Sequence, residues 1–257
     1  MTIQKLPRSV QRMFHIVALA LAASVGLPAA AQDASGPILF TNVNVFDGVN
    51  EALIENANVV VTDNLITAVS TEPLAVAGGR VIDGGGRTLM PGLTDCHWHS
   101  MAANFSGNAF ALGEGKLNLV AADGAEKTLM RGFTTIRDMG GNVFDLKSVI
   151  DEGMYVGPRM YAAGSMISQT SGHADFRSPI EIPQSYSRDL TPQERMGSVA
   201  IADGKAQVLQ RVRENLMRGA AFIKLMGGGG VASPSDPLDV SQYTVEELAA
   251  AVDVAQN

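Results

Sequence analysis

The chain has 257 residues, 46% of them apolar and 18% charged, and a formal charge of −7 at neutral pH. That length and apolar content suffice for one large domain, or an ordinary domain and part of another, with a real core, and they exclude a disordered chain. An acidic balance with no basic run argues against nucleic acid or an anionic membrane surface as partner, leaving small-molecule or short-peptide substrates.

At the N-terminus, Lys5, Arg8 and Arg12 precede an apolar run from Phe14 to Leu27, and Ala29-Ala30-Ala31 follows. A charged start, a short apolar middle and a small-residue end predict a signal peptide over residues 1–31, with the mature chain beginning at Gln32. The run is short for a permanent membrane span, so no stable membrane anchor is expected and the protein is predicted to be exported, periplasmic or secreted. Loss of the leader removes three positive charges and takes the formal charge from −7 to −10. Cys96 is the single cysteine, which excludes an intrachain disulfide. Its position between Asp95 and His97 predicts a small buried packing residue turned away from the face those two share.

Residues 32–90 read as a β-rich N-terminal unit. Ile38 to Phe46 alternates and stops at Asp47-Gly48, and Asn58–Thr62 and Leu65–Val69 flank Asp63-Asn64, a two-residue hairpin turn in which both side chains tolerate positive φ. After the turn Asp83-Gly84-Gly85-Gly86, the stretch Pro91-Gly92-Leu93-Thr94-Asp95-Cys96-His97-Trp98-His99 predicts a short buried strand whose alternation sends Asp95, His97 and His99 to one face.

From His99 onward strands and helices alternate, the pattern of βα units on a parallel sheet. A helix is predicted from Lys116 to Met130, a strand over Phe133–Arg137, a helix capped by Asn142 through Ile150, and a strand over Arg159–Gly164. Ser165 to Ile201 shows no firm period and predicts a long functional loop over a barrel mouth. Asp203 is expected to cap a helix through Met217 with an apolar stripe of Val208, Leu209, Val212 and Leu216; Ala221–Met226 predicts a fourth strand; and Thr244-Val245-Glu246-Glu247 is a capping box opening a helix from Val245 to Ala255.

Two histidines two residues apart at a strand end can grip a transition metal from two sides or be an ordinary half-buried pair, and the metal reading is favoured because His97 and His99 are two of only four histidines in the chain. Lys224 lies near the end of an otherwise apolar strand, an unfavourable place for an unpaired ammonium. The four glycines Gly227–Gly230 follow without the Gly-Lys-Ser/Thr ending of a phosphate loop, which points instead to a close backbone approach. His173, with Asp175 two residues on, and Arg177, whose fork fits carboxylates, are candidate substrate-binding residues in the long loop. Arg137 and Asp138 close the second strand, where they are expected to serve the site or pair with each other.

The stretch Pro91–His99, with Thr134-Thr135-Ile136-Arg137-Asp138-Met139-Gly140 and Phe222-Ile223-Lys224-Leu225-Met226, resembles the amidohydrolase superfamily, most of all its imidazolonepropionase-like and prolidase-like branch. The resemblance runs from about Ile38 to the last residue. It implies an α/β fold: a TIM (β/α)8 barrel of the metal-dependent hydrolase type, about half present as strands one to four over residues 91–257, beside an N-terminal piece of a small β-sandwich. It also implies two Zn2+ or similar divalent ions held by His97, His99 and a CO2-derived carbamate on Lys224, with amide or peptide bonds of small peptides or N-acyl amino acids cleaved through metal-bound hydroxide.

The same resemblance assigns two further histidines to strands five and six and a catalytic aspartate to strand eight. No histidine follows His173, so the stretch as given is expected to be the first part of a longer enzyme and inactive by itself. A mononuclear deaminase, which would lack the lysine on strand four, and a non-catalytic half-barrel are the alternatives. Metal stoichiometry separates the three, and the sequence leaves the oligomeric state open.

Overall fold

In the computed structural model, residues 36–103, 112–183, 189–231 and 235–256 are described. The predicted signal peptide and the Gln32 start lie outside them. The chain divides into two compact units, Met1–Pro91 and Gly92–Asn257.

The first unit is a sheet built on β1 (Ile38–Val45). Strand β2 (Ile54–Thr62) pairs antiparallel with β1, and β3 (Leu65–Ser70) antiparallel with β2; β4 (Arg80–Asp83) and β5 (Thr88–Leu89) both run parallel to β1. Alternation buries Val43, Ala57 and Val59 against Phe40, Val45 and Leu89. The hairpin turn falls at Asp63-Asn64 as its sequence predicts, although only Asp63 of the two has positive φ, at 54°. Strand β1 ends at Val45, just before Asp47, whose carboxylate accepts the backbone N–H groups of Val49 and Asn50 at 2.8 Å each and so turns the chain locally.

The second unit opens with three parallel strands, β6 (Leu93–Trp98), β7 (Phe133–Asp138) and β8 (Arg159–Ala162), in the order β6-β7-β8. Helix α1 (Glu114–Met130) connects the first two strands and α2 (Phe144–Asp151) the next two, giving two successive βα crossovers. Ile136 and Met160 from the strands, Ala121 from α1 and Leu146 from α2 pack in one buried cluster. The remainder is a parallel pair, β9 (Met166–Ser168) and β10 (Val199–Ile201), with a short helix α3 (Pro192–Arg195), then α4 (Lys205–Met217) and α5 (Val245–Ala255). Val208 and Val212 on α4 meet Ile167, Tyr243 and Ala251 in a second cluster. No helix of the described residues is long and apolar enough to cross a membrane.

Several sequence expectations are corrected. Ser165–Ile201 is no structureless loop: it contains β9 and β10, whose three-residue runs are too short to show a period. The fourth strand expected over Ala221–Met226 is reduced to one parallel bridge, Ile167 with Leu225, held by Ile167 N–H donating to Lys224 O and Met226 N–H to Ile167 O, both at 3.0 Å. Asn142 does not cap α2. Its Nδ2 donates to Glu114 and its Oδ1 accepts from Arg218, contacts 28 and 76 residues away in the chain. Nor does Asp203 cap α4; Gly204 holds the N-cap position at φ 81°, while the Asp203 carboxylate accepts Thr170 N–H and Oγ1. Helix α5 and its reciprocal Thr244–Glu247 capping box match the sequence.

Candidate metal and substrate site

His97 lies near the end of β6 and His99 just past it, with ring centroids 5.4 Å apart and planes tilted by 52°. His99 Nδ1 lies 3.2 Å from Gly140 O; a ring N–H donated there leaves the Nε2 lone pair as the basic, metal-competent one. Burial pushes the His97 imidazolium below its ordinary pKa, and the nearby Lys224 and His99 push it further in the same direction. Lys224 is half-buried, and burial with the neighbouring Arg137 guanidinium holds its ammonium below the usual lysine range. Among the described residues no carboxylate forms an ion pair with it. Asp95 pulls His97 the other way, but the net direction for both His97 and Lys224 favours neutral nitrogen, the state that metal ligation and reaction of the lysine with CO2 need.

Two imidazoles with ring centroids 5.4 Å apart, one of them oriented by a backbone carbonyl, fit a divalent ion, and Lys224 fits as a third ligand once converted to an anion. Among the described residues no group of three or more His, Cys, Asp or Glu comes together as a metal cage, so the set is partial.

Two expectations about this strand are corrected. It is not buried, for Leu93, Thr94, Cys96 and His97 are all exposed, and Cys96 is therefore no core residue. Arg137 and Asp138 do not pair with each other. Arg137 lies over the Phe222 ring at 4.5 Å, a contact that shields the cation's face. Asp138 is fully buried and accepts Ser100 N–H at 2.7 Å and Gly140 N–H at 3.2 Å. Burial pushes the Asp138 carboxyl up, against those donors and the nearby His99.

The long-loop candidates have partners of their own. His173, its side chain 26% exposed, has Nδ1 3.1 Å from Asp236 Oδ2, and that same oxygen accepts Gly230 N–H at 2.7 Å. His173 N–H donates to Gln242 Oε1 at 2.9 Å. The close backbone approach expected of the four-glycine run holds at its last two members: a Cβ on Gly230 would sit 2.2 Å from the His173 ring and one on Gly229 1.9 Å from Pro237 O, whereas Gly227 has open space. Arg177 turns the edge of its fork onto Asp175, with Nε donating to Oδ1 at 2.6 Å and Nη2 to Oδ2 at 2.5 Å, and also donates to Thr170 Oγ1. Asp236, Gln242 and Ser100 escaped sequence reading because their partners are 38 to 69 residues away.

An α/β frame that presents a His-x-His pair at the end of its first parallel strand, with a desolvated lysine near it, defines the amidohydrolases, and this chain belongs to that family: the amidohydrolase family model matches residues 88–257. Its relatives make the placement narrower. Ochratoxinase of Aspergillus niger is 33% identical over 214 residues, covering 79% of this chain and 44% of the relative. A prolidase crystallised with N-methylphosphonate-L-proline is 35% identical with a TM-score of 0.75, covering 86% of this chain and 53% of that one. A Xaa-Pro dipeptidase with methionine in its active site is 28% identical with a TM-score of 0.72, covering 86% and 54%. These likenesses imply a TIM-barrel-like α/β fold and are consistent with a prolidase-like amidohydrolase. The chain spans about half the length of the relatives it matches.

Proposed function

We propose that this chain carries the first part of the active site of an exported, metal-dependent hydrolase of carbon–nitrogen bonds, acting on small peptides or N-acyl amino acids. In this reading β6, β7, β8 and the Lys224 segment are the first four strands of a (β/α)8 barrel and the first unit is part of a small β-sandwich. The observation that carries it is the His97–His99 pair, 5.4 Å apart, with the His99 ring oriented by a backbone carbonyl. The prolidase, Xaa-Pro dipeptidase and ochratoxinase neighbours support amide-bond substrates.

His97 and His99 would hold one divalent ion, and Lys224, carboxylated by CO2, would reach two, since a carbamate has one oxygen for each. Such ions polarise an amide carbonyl and lower the pKa of water. His173, fixed by Asp236, places a hydrogen-bonding ring on this loop for the rest of the substrate, whereas Arg177, buried with its fork edge on Asp175, braces the loop rather than meeting a substrate carboxylate. With only these ligands among the described residues, the stretch alone should bind metal weakly and turn over little.

The test is Co2+ binding by the chain, followed by its visible spectrum with and without bicarbonate. Binding should disappear in His97→Ala and His99→Ala, and the bicarbonate response should disappear in Lys224→Ala. A short carboxylic acid should partly restore that response in Lys224→Ala but not in Lys224→Arg, whose fixed cation fills the gap. Binding that survives loss of both histidines would overturn the assignment.

A further inference from the structure

The Asp138 carboxylate is 0% exposed and spends both oxygens on backbone N–H groups. Those two groups are not arbitrary. Ser100 N belongs to the peptide that leaves His99, and Gly140 N belongs to the residue whose own carbonyl lies against the His99 ring. The contacts close a cycle: Asp138 Oδ2 to Ser100 N, through the His99 backbone and ring to Gly140 O, and through Gly140 N back to Asp138 Oδ1. Two more backbone bonds brace it, Met139 N–H donating to Trp98 O at 2.8 Å and Ala163 N–H to Asp138 O at 2.9 Å. Gly140 is packed so tightly that a Cβ there would lie 2.3 Å from Met166 Cγ.

We propose that Asp138 is a positioning residue for His99: by clamping the backbone on both sides of the His99–Gly140 contact, it holds the imidazole in the Nδ1–H tautomer and presents Nε2 as the ligand atom. The physical need is clear. In water neutral histidine prefers the other tautomer, and a ring free to rotate or to exchange tautomers loses ligand strength. Outer partners that fix a ligating imidazole typically change metal affinity ~10- to 100-fold. Here the fixing partner is a carbonyl, a weaker anchor than a carboxylate, so its own position must be fixed. Asp138 does that from the interior, where a rigid acceptor is shielded from water.

The metal half of this inference rests on the proposed function above, whereas the tautomer half does not, and the experiment separates them. In the metal-free full chain labelled with 15N-histidine, long-range 1H–15N correlation reports the His99 tautomer, with His99→Gln assigning its signals. Wild type should show Nδ1–H. Asp138→Ala and Asp138→Asn should shift His99 toward Nε2–H or a mixture, and Co2+ affinity should fall about 10- to 100-fold. The Asn variant retains one acceptor oxygen, so it should fold and keep part of the clamp, covering the case in which the Ala variant unfolds. A folded Asp138→Asn variant with the wild-type tautomer and unchanged Co2+ affinity would overturn the proposal. A tautomer shift with no Co2+ binding even in wild type would leave the positioning role standing and sink the metal reading.

Discussion

The ion pair between Asp175 and Arg177 offers a quantitative check on the substrate-side loop. Their side chains are only 6% and 7% exposed, so solvent screening does not erase the interaction. Asp175 Oδ1 accepts Arg177 Nε at 2.6 Å and Arg177 N–H at 3.2 Å, while Oδ2 accepts Arg177 Nη2 at 2.5 Å and Ser171 N–H at 2.8 Å. Asp175→Asn can keep the Oδ1 set but turns an NH2 toward Nη2 and Ser171 N–H, so one acceptor oxygen and its two hydrogen bonds are lost and donors face donors. A hydrogen bond to a charged group contributes about 1.5–3 kcal/mol and a neutral one about 0.5–1.5 kcal/mol. Removing one partner of a buried pair costs about 3–5 kcal/mol. Glu194 and Asp203, which also stabilise the Arg177 charge, favour the low end, and about 3 kcal/mol is expected.

The sole tryptophan, Trp98, reports on the second unit, and with a urea slope of about 2 kcal/mol/M the midpoint should fall by roughly 1.5 M. The pH dependence gives a second readout. Burial pushes the Asp175 carboxyl up, but hydrogen bonds from Arg177 and Ser171 outweigh it and hold the pKa below the ordinary carboxylate value. Its contribution is therefore present above about pH 3.9 and lost as pH falls through the lower folded value. Wild type and variant should converge in that acid window. A midpoint shift under about 0.3 M at neutral pH, or a gap unchanged through the acid range, would refute the reasoning.

Two other substitutions test the frame. In Gly92→Ala the new Cβ would lie 2.0 Å from Thr134 Oγ1 and 2.6 Å from Thr134 Cβ, so a loss of about 1–3 kcal/mol is expected in thermal unfolding. Thr134→Ala should rescue it only in part, because the Cβ contact remains, and an unchanged Tm in Gly92→Ala would refute the close approach. Thr244→Ala removes the oxygen that accepts Glu247 N–H at 3.3 Å and should cost about 1 kcal/mol. Hydrogen exchange should rise in the first turn of α5 while Gly204 N–H, held by Glu247 Oε1 at 2.7 Å, stays protected; equal acceleration of both would mean the cap and the tether are not separate.

What the sequence made legible was local. Helix α5 was readable because its cap, Thr244 and Glu247, lies within four residues, and the β2–β3 turn because Asp63 tolerates positive φ. The His-x-His pair was readable because spacing on a strand implies a shared direction. Asn142 and Asp203 misled because each is a good cap by type but meets a distant partner, Arg218 and Thr170 respectively, that satisfies it better than a helix end. Strand β9 was hidden because its three residues find their ladder partner 33 residues later. Asp236 stood in a Pro-Ser-Asp-Pro stretch that reads as turn chemistry, and only the folded chain brings it to His173.

The ladder between β6 and β7 explains why alternation placed His97 and His99 together but misplaced their neighbours. Pairing runs from Leu93 with Phe133 to Thr94 with Thr135, so β7 carries one extra residue there, Thr134, the side chain that crowds Gly92. It then runs from Asp95 with Ile136 to Trp98 with Asp138, so β6 carries one extra residue between Asp95 and Trp98. The two irregularities cancel in register but not in facing. Past the second, parity reverses, so Asp95 no longer shares a face with the histidines; its carboxylate instead accepts His97 N–H at 2.9 Å. Cys96, which strict alternation would have buried, is exposed, and Trp98 packs toward the core cluster around Ile136. His97 and His99 flank Trp98 and so keep a common direction whichever way parity runs. A bulge at a strand end increases twist and re-aims side chains, and here it separates the two jobs of one short strand: Trp98 anchors it in the core while the residues on either side of that anchor face outward as a pair.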